Sequence, residues 1–431
     1  NDLDQVALLD FFINGTVTYP HTVYSKVYQI KPACVHTYSV KRNTIDHVIQ
    51  WTPKKYGDLQ SKKQEADRLR DAIKGYIHRV TFAMEAIGCF ISGGEDSRFV
   101  LSILPDHCRK EAYIFLDDFN KEGIIAKKAA AALNATFHFT QRDKFHYLDI
   151  IKDASLLIGS GLEYKHCHAF GLEDRCDLSR YHAFFGGYQA DTMLKGYWSK
   201  ITRYLDNKKV NGTFINNRFT QQYPLDQKYL DKSILDSLHK RKQALLQQSI
   251  IHQESFADEW FFLWPRSMGP GMVNFFCTRR LFASYECFMT NEVLKTLTRI
   301  PQSWRLDRKL YHMMTKPEYA KTKFLRTSKG DLPYFGFSFN DQLNKFERIK
   351  RKILFKITKQ SKHDGPWADW GMIIRSERWE NLVKLSKGKV DPSLEVFSEP
   401  VSWILMNDTI SYKIKLNILQ MIIHVEHLKS L

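Results

Sequence analysis

The run Ser92-Gly93-Gly94-Glu95-Asp96-Ser97 is the segment of this chain best equipped for chemistry. Its adjacent glycines let the backbone approach an anion closely, its serine hydroxyls add donors, and a helix starting here offers unpaired N–H groups and the positive end of its dipole. Such a loop suits pyrophosphate, and so chemistry that splits ATP into AMP and pyrophosphate. Asp96 would repel a bare phosphate; it makes most sense as a ligand of Mg²⁺ bridging phosphate oxygens. A plain Gly-Gly turn capped by serine and aspartate is the alternative. Against it, the apolar run Ala86 to Ile91 enters the loop and Ser97 to Leu104 leaves it with helical spacing at Phe99, Val100, Ile103 and Leu104. The phosphate loop G-x-x-x-x-G-K-[ST] is absent, and no G-x-G-x-x-G follows a strand, which tells against kinase, GTPase and dehydrogenase readings.

A second constellation follows strand His182 to Phe185, in Gly186-Gly187-Tyr188-Gln189-Ala190-Asp191-Thr192-Met193-Leu194-Lys195-Gly196-Tyr197. Glycines again precede an acidic residue at a strand end. Asp96 and Asp191, on neighbouring strand ends, could hold one Mg²⁺ between them. His166-Cys167-His168 also sets two histidines beside a thiol. No further ligand pair stands at metal-site spacing, so this tripeptide reads as a substrate-facing loop or ordinary packing.

The elements needed to position these residues are present. From Ala86 to Tyr197 strand and helix alternate: strands Ile87–Ile91, Ala112–Leu116, Thr136–Thr140 and His182–Phe185, with an alanine-rich helix at Glu122–Leu133. The pattern predicts an α/β fold with a doubly wound parallel sheet, whose ligands bind at the carboxyl ends of the strands. After Tyr197 the signal is mainly helical, with aromatic-rich stretches at Trp260–Trp264 and Phe275–Phe288. From Phe346 to Lys362, cations alternate with Ile349, Ile353, Leu354 and Ile357 at helical spacing, as on a solvated cationic face over an apolar stripe.

At 431 residues the chain exceeds one ordinary core, and its 43% hydrophobic content excludes a disordered polymer. A formal charge of +17 favours acidic ligands. The seven cysteines, Cys34, Cys89, Cys108, Cys167, Cys176, Cys277 and Cys287, form no CxxC pair and fit a reducing, cytoplasmic setting. No apolar run is long enough for a bilayer and no secretory signal opens the chain, so the sequons at Asn14, Asn134 and Asn211 are read as incidental.

With both motifs in hand, the chain resembles the synthetase domain of the asparagine synthetase family, within the N-type (PP-loop) ATP pyrophosphatases. That family carries S-G-G-x-D-S, then G-E-G-[AS]-D-E-x-x-G-G-Y, matched here by Ser92–Ser97 and Gly187–Tyr197. Leu8–Thr37 resembles the segment joining the family's glutaminase and synthetase domains, and Ile300 through Gly330 resembles its active-site helical region. The likeness spans most of residues 5 to 335. It implies that Ser92, Gly93, Gly94 and Ser97 hold pyrophosphate, that Asp96 and Asp191 bind Mg²⁺, that Phe90 and Gly187 lie beside adenosine, and that Lys329 steadies the adenylate and departing pyrophosphate. The implied division is a junction at 1–60, an ATP pyrophosphatase domain at 61–340 and a basic helical C-terminal extension at 341–431.

One departure is Tyr188, where asparagine synthetases have glutamate and β-lactam synthetases have tyrosine, thought there to help deprotonate an attacking amine. A phenol of pKa ~10 needs a tuning partner for that task. The glutaminase domain is missing too. Since the chain opens on Asn1 at the implied junction, the expectation is that this domain was removed or is separate, or that ammonia or an amine is used directly. The activity implied is an ATP-dependent ligase that adenylates a small-molecule or peptide carboxylate for attack by an amine or ammonia. Its rivals are an intramolecular cyclase of the β-lactam synthetase or lasso-peptide type, an RNA-modifying enzyme that lacks a recognisable RNA module here, and a non-catalytic nucleotide-binding scaffold.

Overall fold

A computed structural model describes residues 2–54, 56–196, 225–252, 260–261, 264, 272–345 and 365–430. Tyr197, Asn211 and the Phe346–Lys362 stretch lie outside the described residues.

The chain begins with helix α1 (Gln5–Asn14), capped by the Asp4 carboxylate on the N–H groups of Val6 and Ala7. An antiparallel hairpin, β1 (Cys34–Ser39) and β2 (Thr44–Ile49), follows, then the amphipathic helix α2 (Lys62–Thr81), which opens on a Ser61–Gln64 capping box. The parallel sheet comprises β3 (Ala86–Phe90), β4 (Arg109–Leu116), β5 (Ala135–Gln141), β6 (Phe184–Phe185) and β7 (Ser284–Tyr285), in the order β5-β4-β3-β6-β7. From β3 the chain moves outward to β4 and β5 through helices α3 (Asp96–Ile103) and α4 (Lys121–Ala132), then returns to the other side of β3 for β6 and β7. The sheet is therefore doubly wound, as expected, and its switch point lies between β3 and β6, where open α/β sheets form a crevice.

The sheet differs from expectation in three places, one being that the strand expected at His182–Phe185 is only Phe184–Phe185. β4 extends back to Arg109 because its charged residues are neutralised locally: Lys110 pairs with Asp106 at 2.7 Å, and Glu111 receives Arg109 at 2.7 Å and His138 at 2.6 Å. Alternation of apolar residues misses such a strand. The fifth strand, Ser284–Tyr285, falls inside a stretch read as helical; two residues are too few to show a period.

Among the described residues there are three apolar clusters. One unites α2, α3 and the helix Lys309–Thr315 with one face of the sheet, and a smaller one packs Tyr113, Tyr181 and Phe184 on the other face. The third joins α1 to the helices that end the chain. Asn417, in the helix Tyr412–Ser430, donates to the carbonyls of both Phe11 and Phe12 at 3.1 Å, fastening chain end to chain start.

Close approach of β3 and β6 sets the spacing of the two motifs. A Cβ at Gly88 would stand 2.1 Å from the Phe184 ring. Gly88→Ala is therefore expected to force Phe184 aside and lower stability by about 1–3 kcal/mol, a change that urea titration followed by circular dichroism would measure.

Candidate functional site

The Ser92 loop occupies the carboxyl end of β3 and runs directly into α3. Its hydrogen bonds shape it: Ser92 N–H donates to Ser97 Oγ at 3.0 Å, and Gly94 N–H donates to Ser92 Oγ at 3.1 Å. Glu95, at the N-cap position, makes no side-chain cap, so the first-turn N–H groups of α3 are left for another acceptor. Across the switch point, a Cβ at Gly187 would lie 2.5 Å from Ser97 N, a distance no side chain can occupy. Glycine is required there because backbone meets backbone.

These elements border a cavity of about 450 Å³ at the carboxyl ends of the strands. Phe90, Ser92, Gly94, Asp96, Ser97, Gly187, Tyr188, Asp191 and Lys329 all line it. Of the expected site residues Gly93 alone is not on the wall; its N–H donates at 2.6 Å to the buried carboxylate of Glu122, which does line the cavity. Lys329 is brought over the loop through the main chain, since Ser328 N–H donates to the Gly93 carbonyl at 2.9 Å. Arg98, fully buried in α3, secures the same segment by donating to the carbonyls of Leu325 at 2.6 Å and Arg326 at 3.1 Å.

Sequence reading missed the charges that meet here. Lys195 Nζ stands 2.9 Å from Glu95, 2.5 Å from Asp96 and 3.1 Å from Asp191. Arg308 Nη1 lies 2.7 Å from Glu95, and the Tyr311 hydroxyl donates to Asp96 at 2.6 Å. Burial lifts the Asp96 carboxyl to about 6, with Asp191 and Glu95 adding to the effect against the pull of Lys195. For Glu95 and Asp191 burial acts in the same sense, but the neighbouring cations, Lys195 foremost, outweigh it and hold both carboxyls low. Burial likewise opposes the charge on Lys195, and the three carboxylates overcome it, so the ammonium is held more firmly than usual. Only the i, i+4 spacing of Asp191 and Lys195 hinted at this in the sequence.

Carboxylate oxygens suit a hard cation. Yet the point on which Glu95, Asp96 and Asp191 converge is taken by the Lys195 ammonium, and no group of three or more His, Cys, Asp or Glu among the described residues is arranged to hold a metal. The residues as placed do not fit a magnesium ion held by the protein alone.

Tyr188 sits on the wall with its ring 6.1 Å from that of Phe90, hydrogen-bonded to the Asn274 side chain. Burial raises its phenol well above 10, an effect larger than the opposing bond from Asn274. In this setting the hydroxyl is held in its protonated form at neutral pH. The rings of His166 and His168 stand perpendicular, 5.6 Å apart, and His166 Nε2 lies 3.2 Å from the Glu163 carboxylate. His168 lines the cavity, its ring 4.1 Å from that of Trp367, and shares a 2.8 Å hydrogen bond with Tyr147. Cys167 is buried, and all seven cysteines are free thiols. Beyond β5, Arg142 pairs with Asp117 at 2.7 Å and donates to the Pro366 carbonyl at 3.3 Å, while Asn120 donates to that of Gly365 at 3.0 Å. The segment Gly365-Pro366-Trp367 thus closes the cavity on its β5 side. None of the described helices is long and apolar enough to cross a membrane.

Fold and site together define a doubly wound α/β protein whose switch point carries a strand–loop–helix with an uncapped helix start. No protein-family model matches the chain, and no curated protein matches it in sequence. Similar solved structures include an NH3-dependent NAD synthetase from Campylobacter jejuni, 13% identical over 43% of this chain and 95% of that one, with a TM-score of 0.22. Another is the NMN synthetase of Francisella tularensis, 14% identical over 51% of this chain and 94% of that one, with a TM-score of 0.24. Both likenesses are too remote to bear on what this chain binds.

Near the site, Glu286 follows β7 with Oε1 accepting from Phe288 N–H at 2.9 Å, while Oε2 is buried and has no hydrogen-bond partner among the described residues. Burial raises its pKa well above the ordinary value, so the folded chain keeps a proton that the unfolded chain releases above about 4.3. Protons bound in the folded state exceed those in the unfolded state, and stability falls as pH rises above the unfolded value. Glu286→Gln should remove this loss: the gap in denaturation midpoint between variant and wild type moves in favour of the variant from pH 4.5 to pH 7.5.

Proposed function

We propose that this chain is an ATP-dependent, AMP- and pyrophosphate-forming ligase of the PP-loop type, which adenylates a carboxylate for attack by an amine or ammonia, as asparagine synthetases do. The observation that carries the reading is the Ser92 loop, with the uncapped start of α3 beside it, opening on a cavity that also receives Lys329 and Arg308. In the reaction a carboxylate oxygen of the substrate attacks the α-phosphorus and pyrophosphate leaves. The amine nitrogen then attacks the acyl carbon, loses a proton, and expels AMP. The loop N–H groups and serine hydroxyls would take the charge on pyrophosphate, and Lys329 and Arg308 would add positive charge where it departs. No step here runs through a metal held by the protein.

A nucleotide-binding scaffold remains the second reading, because the site's own groups already satisfy one another: Glu122 on Gly93, Lys195 on three carboxylates. The cyclase reading loses the support of Tyr188 as a base.

Pyrophosphate release from Mg-ATP, scanned over amino acids, peptides and sugar acids with ammonia or amines, decides between the two. Release that depends on a carboxylate and drops about 100-fold in Asp96→Ala is the expected result; nucleotide binding without release across the panel would favour a scaffold. In addition, the Glu122 carboxylate competes with phosphate for the Gly93 N–H. Replacing it by glutamine removes about 1 kcal/mol of like-charge repulsion, so Glu122→Gln should bind pyrophosphate roughly 5-fold tighter by calorimetry.

A further inference from the structure

The carboxylate cluster carries a side chain that the motif pattern does not call for. Position 195 falls on the first glycine of the closing G-G-Y, and position 95 on the free x of S-G-G-x-D-S. Here the pair is Lys195 and Glu95, 2.9 Å apart. The chain has added one negative and one positive charge to the same point, and they offset each other.

The local structure holds Lys195 in that place. Asp191 and Lys195 are four residues apart around the short helix Ala190–Met193, which puts both side chains on one side of the turn. Gln189 enters this helix at φ +64, so the motif keeps a left-handed entry even with a non-glycine residue, and Gly196, three residues past the helix end, stands at φ +62. The Lys195 stem is 5% exposed and its ammonium lies 4.7 Å from the centre of the Tyr311 ring, whose hydroxyl donates to Asp96. Carboxylates meet the ammonium on three sides and the aromatic face adds a fourth favourable contact.

A divalent ion bound to the same oxygens would have to sit at ~2.1 Å from each, almost on top of Nζ. Two cations cannot share that point. We propose that Lys195 is the resident cation of this pocket: its ammonium takes the place between Glu95, Asp96 and Asp191 that a protein-held divalent ion would take. The free chain then binds no divalent metal there, and metal reaches the site only with the phosphates of a nucleotide. The last clause alone rests on the ligase reading.

Manganese is the probe, followed by the loss of its free electron paramagnetic resonance signal as protein is added without nucleotide. Wild type should leave the signal unchanged, whereas Lys195→Gly should bind Mn²⁺ at least ~10-fold more tightly and lose it again when Asp191→Asn is added. Lys195→Met serves the same purpose if the glycine variant does not fold, as judged by circular dichroism. Mn²⁺ binding by wild type that Asp191→Asn abolishes would overturn the proposal, and so would folded Lys195→Gly and Lys195→Met proteins that take up none. The result is separable from the ligase reading. A wild type that binds no Mn²⁺ and releases no pyrophosphate with any carboxylate leaves this inference standing and removes the other; a wild type that does both removes this inference and leaves the ligase reading in place.

Discussion

Three carboxylates facing a single buried ammonium impose the strictest condition on this molecule. Glu95 and Asp96 are largely withdrawn from water while the Asp191 side chain is 59% exposed, and bringing such like charges together is costly unless the compensating cation is fixed among them. Each partner therefore comes from an element with little freedom. Glu95 and Asp96 stand at the start of α3, where the helix dipole favours negative charge, Asp191 lies in the short helix Ala190–Met193, and Lys195 follows two residues past its end. Arg308 arrives from a residue at φ +58, just ahead of the helix Lys309–Thr315. Moving any one of these elements would leave a buried charge without its counterpart.

The sheet exists, in this sense, to hold two strand ends at a fixed distance. Parallel pairing of Gly88 with Phe184 and of Cys89 with Phe185 sets β3 against β6 without an intervening strand. Glycine at 187 then lets the second turn touch the first turn of α3. Packing beneath the sheet carries the same alignment outward, for Tyr311 and Tyr319 contribute to the apolar core and also donate hydroxyls to Asp96 and to the Glu95 carbonyl. Core and site share residues, so the charge cluster inherits the rigidity of the interior.

Much of this was legible in the sequence because it follows from local pattern. The apolar run before Ser92, the helical spacing after it and the alanines of α4 each signal one element, and the four strands they imply are all present. What could not be read depends on distance in the fold. Arg98 looks like a surface residue of an amphipathic helix, yet it is fully buried and spends its guanidinium on carbonyls more than two hundred residues away. Lys195 looks like one more cation in a basic chain. Its partners at 95 and 96 become neighbours only when β6 docks beside β3, and Glu122 meets Gly93 only through the β4 crossover. Tyr188 draws a role from its position in a motif; its protonation depends on burial and on Asn274, neither of which a motif encodes.

The cavity walls are attached in an unusual way. Arg98 grips the carbonyls of Leu325 and Arg326, Lys121 that of Ser328, Asn120 that of Gly365 and Arg142 that of Pro366. Every one of these fastenings ends on main chain, which is the same whatever residue supplies it. A side chain that such a segment presents to the cavity, as Lys329 is, can thus be exchanged without breaking these main-chain grips. On the proposed ligase reading, a scaffold fastened in this manner could be retuned to a new acyl group or nucleophile by a few wall substitutions while the Ser92 loop stays intact, so relatives with diverged chemistry are to be sought among chains that share the grips and differ in what they hold out.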